Sequence, residues 1–577
     1  MNTSKTDKEK ELKVPEKMVI YQVFTRLFGN RTLACRQNGS IKENGCGKFN
    51  NFTEQALNDI KKLGATHIWY TGVIAHATKT DYSEFEIPKD HPAVVKGRAG
   101  SPYAIKDYYD VDPDLAVDVN NRMNEFRALV QRTHDAGLNI IIDFVPNHVA
   151  RQYKSLAKPE GVKDLGEDDD KSVSFAPNNN FYYIPGEELK GDIDLYDEEA
   201  GRYVEMPAKA TGNNCFGAWP NRNDWYETVK LNYGVDYYNN SGCHFNPVPD
   251  TWIKMRDILL FWAEKDIDGF RCDMAEMVPC EFWGWAIPQI KEKYPKIIFI
   301  AEVYNPNEYR NYIYNGHFDY LYDKVGLYDT LRAVICNSGS ATSITSCWQS
   351  VSDIQSHMLN FLENHDEQRI ASDFFAGCGL KAFPAMIVSA CMNTNPVMIY
   401  FGQEYGERGM DNEGFSGRDG RTTIFDYWSI DSIRRWTNHG RFNTHLMNHK
   451  EKTIHNFYRK LLNLCNEEKC ISRGEFFDLM YANINGWQMN EHKQFVFLRK
   501  CEDEALLIAV NFSDISMRIA VNIPEHAFEY LQMPKFSKIK VKDLISDNEE
   551  KISFTSEKPT GIELPANSGK ILKIHLE

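Results

Sequence analysis

Asn120–His148 reads NNRMNEFRALVQRTHDAGLNIIIDFVPNH and contains a complete helix-to-strand transition. Apolar residues at Met123, Phe126, Leu129 and Val130 recur at helical spacing, which predicts a helix over Asn120–Ala136. Gly137 stops it. Asn139–Phe144 (NIIIDF) begins at once as a β-branched strand, the composition of a strand covered by helices. Polar side chains, Asn147 and His148, follow its C-terminal end.

The same unit recurs on both sides of this stretch. Upstream, Lys17–Phe24 and Thr66–Val73 read as strands, with helical spacing over Asn51–Leu63 and a stop at Gly64. Downstream, strand-like runs are Gly269–Asp273, Ile297–Glu302, Met358–Asn364 and Pro396–Phe401. Asp250–Glu264 and Pro384–Met392 are helical, the latter opening on a proline that suits a first turn. Alternating strands and helices imply a parallel sheet covered by helices. A (β/α)₈ barrel and a doubly wound sheet both meet that description. Neither a G-x-G-x-x-G after the first strand nor a P-loop is present, which weighs against the nucleotide-binding version of the second.

Two regions depart from the pattern. Residues 150–228 are rich in Asp, Asn, Gly, Pro and aromatics, too long and too aromatic for a plain connection. They predict a small inserted domain or functional loop. After Arg459 helical spacing fades, and Gln494–Leu498, Ala505–Phe512 and Gly561–Leu576 alternate as an antiparallel β domain would.

Composition narrows the partners. The 577 residues exceed what one core serves, so two or three domains are expected. With 66 basic and 81 acidic residues the net charge is −15, which argues against binding nucleic acid. No apolar run is long enough to span a membrane. The opening MNTSKTDKEKELK is hydrophilic and shows no signal peptide. Thirteen scattered cysteines without a C-x-x-C pair read as reduced thiols, hence a cytoplasmic setting. Oligomeric state stays open.

Candidate chemistry collects at strand ends. Arg271 and Asp273 are two apart on one strand, so both side chains point to one face. A guanidinium there is expected to keep the carboxylate ionised, as a nucleophile requires. Glu302 ends the next strand run and can face Asp273, while His365 and Asp366 end another. Asp143 is read as structural, fixing a neighbouring loop or the arginine. Three carboxylates, an arginine and the histidines His148 and His365 would give a retaining glycosidase its parts, with the two main carboxyls roughly 5–5.5 Å apart.

These segments resemble glycoside hydrolase family 13, the α-amylase family. DFVPNH (Asp143–His148), GFRCDMAEM (Gly269–Met277), IAEVY (Ile300–Tyr304) and ENHDEQR (Glu363–Arg369) are similar to its four signature segments, in order. VIYQVFTRLF, LGATHIWYTGV, SPYAIKDYYDVDP and NPVMIYFGQEYG extend the resemblance over roughly Lys17–Trp436. It implies an α/β fold: a (β/α)₈ TIM barrel (1–149 and 229–460), an inserted domain B after the third strand (150–228) and a C-terminal antiparallel β-sandwich (461–577). The implied activity is retaining hydrolysis of α-glucosidic bonds, most simply α-1,4 bonds of starch or malto-oligosaccharides, without an organic cofactor.

By the same resemblance Asp273 is the nucleophile, Glu302 the acid/base and Asp366 the carboxylate supporting the transition state. Arg271 orients the nucleophile, His148 and His365 bond sugar hydroxyls, and Tyr103 stacks on the sugar at the cleavage point. A structural calcium is implied too, with Asn147 as a ligand, although Asn38–Phe49 (NGSIKENGCGKF) is only loosely similar to a calcium loop. Glu276-Met277 stand where starch-cleaving members often carry Lys-His. Glu276 is accordingly expected either to line the leaving-group side of the cleft or to form an ion pair on its rim. A glucanotransferase or isomerase and an α-1,6 glucosidase share the scaffold. A non-enzymatic carbohydrate-binding or transporter-associated subunit would lack the carboxylates that are present here.

Overall fold

Gly269 pairs in parallel with Ile141 on one side and with Ile298 on the other, which sets the strand Gly269–Cys272 inside a continuous sheet. Extending such pairs through the computed structural model, which describes residues 17–486 and 488–577, closes a barrel of eight parallel strands. In order they are Val19–Phe24, His67–Thr71, Asn139–Phe144, Gly269–Cys272, Ile298–Ala301, Tyr320–Tyr322, Met358–Phe361 and Val397–Tyr400. Each pairs with its sequence neighbour, and the first meets the last at Val19 and Val397. The barrel reading is the correct one, and the doubly wound sheet is excluded. The opening 1–13 lies outside the described residues.

Alternation along the strands sorts the barrel interior into layers. Ile20, Trp69, Ile141, Ile300, Leu359 and Met398 fill it with apolar side chains. Two residues further along, the same inward face carries Asp143 after Ile141, Asp273 after Arg271 and Glu302 after Ile300. Apolar filling below and polar groups above follow from one periodicity.

The helices end as their residues dictate. Glu54–Leu63 starts at Thr53, whose side chain accepts from the Ala56 amide, and stops at Gly64 with φ 114°. Arg122–Asp135 precedes Gly137, also at positive φ (72°). The sixth strand, Tyr320–Tyr322, has no counterpart among the strand-like runs of the sequence.

Residues 150–228 form short ladders, Tyr183–Ile184 with Ala208–Lys209 and Tyr196–Asp197 with Gly201–Arg202. Their exit, Thr228–Lys230, returns antiparallel to His148–Ala150 and sets Lys230 opposite His148. At the other end, helix His449–Glu467 runs through the expected boundary at 460, and it packs against Glu54–Leu63 and Phe383–Cys391. A six-stranded antiparallel sheet beginning at Glu475 follows, with the ladder Met517–Val521/Thr560–Leu564 beside it. Arg499 joins this sheet to the barrel end: its buried guanidinium donates to the carbonyls of Met392, Cys470 and Ile471. Among the described residues no helix is long and apolar enough to cross a membrane.

Candidate active site

The fourth strand carries Arg271 to the barrel mouth fully buried, where a lone guanidinium would be costly. Carboxylates surround it. Nη1 donates to Asp273 Oδ1 at 2.7 Å and lies 3.4 Å from Asp143 Oδ1. Nη2 lies 2.6 Å from Glu302 Oε2, an ion-pair contact without hydrogen-bond alignment. Nε donates to Tyr322 Oη at 3.1 Å, which gives the short sixth strand its part in the site. Asp143 also accepts from Trp69 Nε1 at 3.0 Å, so it ties the arginine to the second strand.

Glu302 is held at both oxygens. Tyr304 Oη donates to Oε1 at 2.6 Å, and the Met274 amide donates to Oε2 at 2.8 Å. Met274 adopts φ 42° and ψ 44°, a left-handed conformation costing a side-chain-bearing residue about 1–2 kcal/mol. That turn aims its amide at Glu302.

The segment Glu363–Arg369 is braced from below. Arg369 Nη1 binds Glu363 Oε2 at 2.9 Å, and Glu363 Oε1 accepts from the Ile370 amide at 2.7 Å. His365 meets the Gln22 amide through Nδ1 at 2.8 Å, and its Nε2 lies 2.5 Å from Tyr103 Oη and 3.1 Å from Asp366 Oδ2. His148 faces the Trp225 ring, centroids 5.4 Å apart. Tyr103, His148, Asp273, Glu302 and Asp366 line one open cavity of about 230 Å³, with Arg271 beneath it and His365 behind Tyr103. The structure brings together every residue named for catalysis and sugar contact.

Three carboxylates contact one guanidinium and a fourth, Asp366, lies beside them in a low-dielectric setting, where burial disfavours charge. Burial pushes Asp273 well above the usual carboxylate range against the pull of Arg271, and the Glu302 charge adds to the rise. Asp366 is pushed up to about 7 by burial and then by Glu302, and Asp143 to about 6 by burial. Arg271, the partner expected to keep Asp273 ionised, opposes the rise of Asp273 without cancelling it, and the titrations of Asp273 and Asp366 are coupled to their neighbours. Both histidines are neutral. Burial, then Lys230, brings His148 down to about 3, and burial with Arg271 holds His365 well below its ordinary value.

Several lining residues had no role in the sequence reading: Lys96, Trp225, Glu227, Tyr304, Phe415 and Phe425. Only Tyr304 carried a local signal, standing two residues past Glu302 where strand alternation places it on the same side. Trp225 comes from the irregular insertion, whose path no period reveals.

Asn147 does not fit a calcium ligand. Its Oδ1 accepts from Lys230 Nζ at 2.7 Å, and its Nδ2 donates to the Gly212 carbonyl at 2.8 Å. An amine fills the place a cation would need, whereas calcium takes six to eight oxygens. Burial brings that amine down to about 7. The other candidate loop has one carboxylate, Glu43, which is engaged by Ser40 and Arg36. Elsewhere among the described residues, Glu468, Cys470 and Glu504 lie close together, but Lys573 Nζ binds both glutamates, at 2.9 Å and 2.8 Å.

A closed parallel barrel with carboxylates gathered about an arginine at its C-terminal mouth defines a glycoside hydrolase of the barrel type. Residues 22–474 match the family model described as "Alpha amylase, catalytic domain", and the chain belongs to the alpha-amylase family. Among curated proteins it is 20% identical to Alpha-amylase 2 of Dictyoglomus thermophilum over 508 residues, covering 86% of this chain and 70% of that one. Alpha-amylase 3 of the same organism is 23% identical over 468 residues, covering 76% of this chain and 80% of its own. Among solved structures the fold is similar to a maltogenic alpha-amylase, AmyB of Thermotoga neapolitana, with TM-score 0.61, 19% identity and coverage of 97% and 99%. It is also similar to the debranching enzyme of Nostoc punctiforme, with TM-score 0.62, 17% identity and coverage of 97% and 98%.

Proposed function

We propose that this alpha-amylase-family enzyme hydrolyses α-1,4-glucosidic bonds of starch or malto-oligosaccharides with retention of configuration. The observation carrying this reading is the grip of one guanidinium, Arg271, on Asp273 at 2.7 Å and Glu302 at 2.6 Å beneath an open cleft. The names of the curated relatives support the substrate class.

In the first step Asp273 attacks the anomeric carbon. The glycosidic C–O bond breaks, and the leaving oxygen takes its electron pair together with a proton from Glu302. This step needs Glu302 to carry a proton and Asp273 to carry the charge. The charge-assisted bond from Arg271 favours Asp273 as the charged member, and Tyr304 Oη can accept from a protonated Glu302. In the second step Glu302 takes a proton from water, the water oxygen bonds to the anomeric carbon, and Asp273 leaves as carboxylate. Asp366 supports positive charge on the sugar, Tyr103 stacks on that ring, and neutral His148 and His365 bond its hydroxyls.

The barrel, up to residue 149 and from 229 through helix His449–Glu467, acts as the catalytic domain, 150–228 as the wall bearing Trp225, and the sheet from Glu475 onward as the C-terminal β domain. Thirteen unpaired thiols support a reducing, cytoplasmic setting. The test is NMR analysis of initial products from maltoheptaose, isomaltose, pullulan and cyclodextrins. Early α-anomers from maltoheptaose are expected, with little turnover of isomaltose. An initial β-anomer would overturn the mechanism, and preferential isomaltose cleavage would overturn the linkage.

A further inference from the structure

Glu276 stands on the single turn Ala275–Met277 that follows the nucleophile strand. No lysine or arginine pairs with it among the described residues, so the expected ion pair on the rim is not what it makes. Its Oε2 accepts from two backbone amides, Tyr304 N and Asn305 N, each at 3.0 Å. Those amides open the loop that leaves the fifth strand just after Glu302. The turn is held in place by Tyr312, whose hydroxyl donates to the Glu276 carbonyl at 3.2 Å and to the Val278 carbonyl at 2.9 Å.

The consequence reaches the acid/base carboxyl by two routes from one short segment. The Met274 amide binds Glu302 Oε2 at 2.8 Å, and the Glu276 carboxylate fixes the backbone of Tyr304, whose hydroxyl binds Glu302 Oε1 at 2.6 Å. A carboxylate that anchors two consecutive amides sets the direction of the loop, and a phenol on that loop inherits its position. A phenolic hydroxyl can donate to an ionised carboxylate and accept from a protonated one. It serves both protonation states that a retaining mechanism asks of one residue.

We propose that Glu276 is a positioning residue for Glu302, acting through the backbone and hydroxyl of Tyr304. The proposal rests on the reading of Glu302 as acid/base. At this half-buried position the chain uses an acceptor to build its own support for the proton-transfer group.

Four variants test this on two substrates, maltoheptaose and an aryl α-maltoside with a strongly activated leaving group, each across pH. Glu276→Ala removes the acceptor, Glu276→Gln keeps an oxygen that can take both amides, and Tyr304→Phe deletes the hydroxyl. Glu276→Ala and Tyr304→Phe are expected to lower kcat/KM on maltoheptaose by roughly ten-fold or more and to displace its pH profile. The activated substrate, which needs little protonation, should change by less than about three-fold, and Glu276→Gln should stay near wild type. Equal losses on both substrates with an unmoved profile would overturn the proposal, as would a Gln variant as poor as the Ala one. If Glu276→Ala fails to fold by circular dichroism, Tyr304→Phe decides alone, and an unmoved profile there overturns it. Glu302→Gln separates the two levels of argument. Its loss should depend steeply on leaving group; if it does not, the acid/base reading fails and this inference with it. If it does and Glu276→Ala is indifferent, only the inference fails.

Discussion

Lys230 Nζ lies 2.7 Å from Asn147 Oδ1, deep between the third strand and the returning strand of the insertion. A metal at this place would have to displace a buried amine. Chelation should accordingly leave both melting temperature and activity unchanged, since a ligand that never bound the folded state cannot stabilise it. Lys230→Met should cost about 1–3 kcal/mol by leaving Asn147 Oδ1 buried without that donor. Thermal melts with EDTA and with added calcium check the first statement, and denaturant titration checks the second. A chelator-induced fall of several degrees would overturn the amine assignment.

Asp273→Ala should abolish turnover while keeping the fold. Loss of the attacking group removes several powers of ten in rate, and a residual kcat above about a hundredth of wild type, a loss of only ~2.7 kcal/mol, would exclude Asp273 as nucleophile. Stability should hold or rise, because the change relieves a carboxylate that burial has pushed well above its usual range. Melting curves beside single-turnover rates give both answers.

Asp366 offers a test by pH. Burial, then Glu302, lifts its carboxyl to about 7, so between about pH 4 and about pH 7 the folded chain holds a proton that the unfolded chain has released. Stability from this group falls as pH rises through that window. Asp366→Asn removes the dependence, so the gain in melting temperature over wild type should be larger at pH 8 than at pH 5. The same change takes a negative charge from the cluster, whose remaining carboxyls then lose protons more readily. The alkaline limb of kcat/KM should move to lower pH, along with a large fall in kcat. A limb that stays in place would show that Asp366 does not share the cluster's titration.

The sequence revealed most of the barrel for a simple reason: most of its strands are apolar, β-branched or aromatic runs long enough to show their composition. Tyr320–Tyr322 is only three residues long, and its neighbours Asp319 and Asp323 hide it. The partnership of Arg271 and Asp273 was legible because a period of two puts them on one face. The rise of the Asp273 carboxyl above its usual range was not, since it depends on burial and on Glu302 and Asp143, which come from other strands. Lys230 was out of reach for another reason: it meets Asn147 across 83 residues of irregular chain. Glu276 was legible as a position and not as a bond, because its partners are backbone amides, which every sequence has.

Met274 supplies the last prediction. Its φ of 42° and ψ of 44° lie in the left-handed region, which glycine enters freely and β-branched residues resist. The conformation is needed because it aims the Met274 amide at Glu302 Oε2, 2.8 Å away. Met274→Gly keeps the amide and relieves about 1–2 kcal/mol of backbone strain, while giving up some side-chain contact and adding freedom to the unfolded chain. These effects oppose one another, so its stability should fall within about 1 kcal/mol of wild type, with kcat within about three-fold. Met274→Val must either hold a conformation its branched Cβ disfavours or move the amide. It should lose about 2 kcal/mol or more of stability, and roughly ten-fold in kcat on maltoheptaose, with less loss on an activated aryl substrate. The ordering Gly above Val in both measurements is the point at issue. Equal values for the two variants would mean that the turn relaxes without consequence, and that the amide is not what holds Glu302.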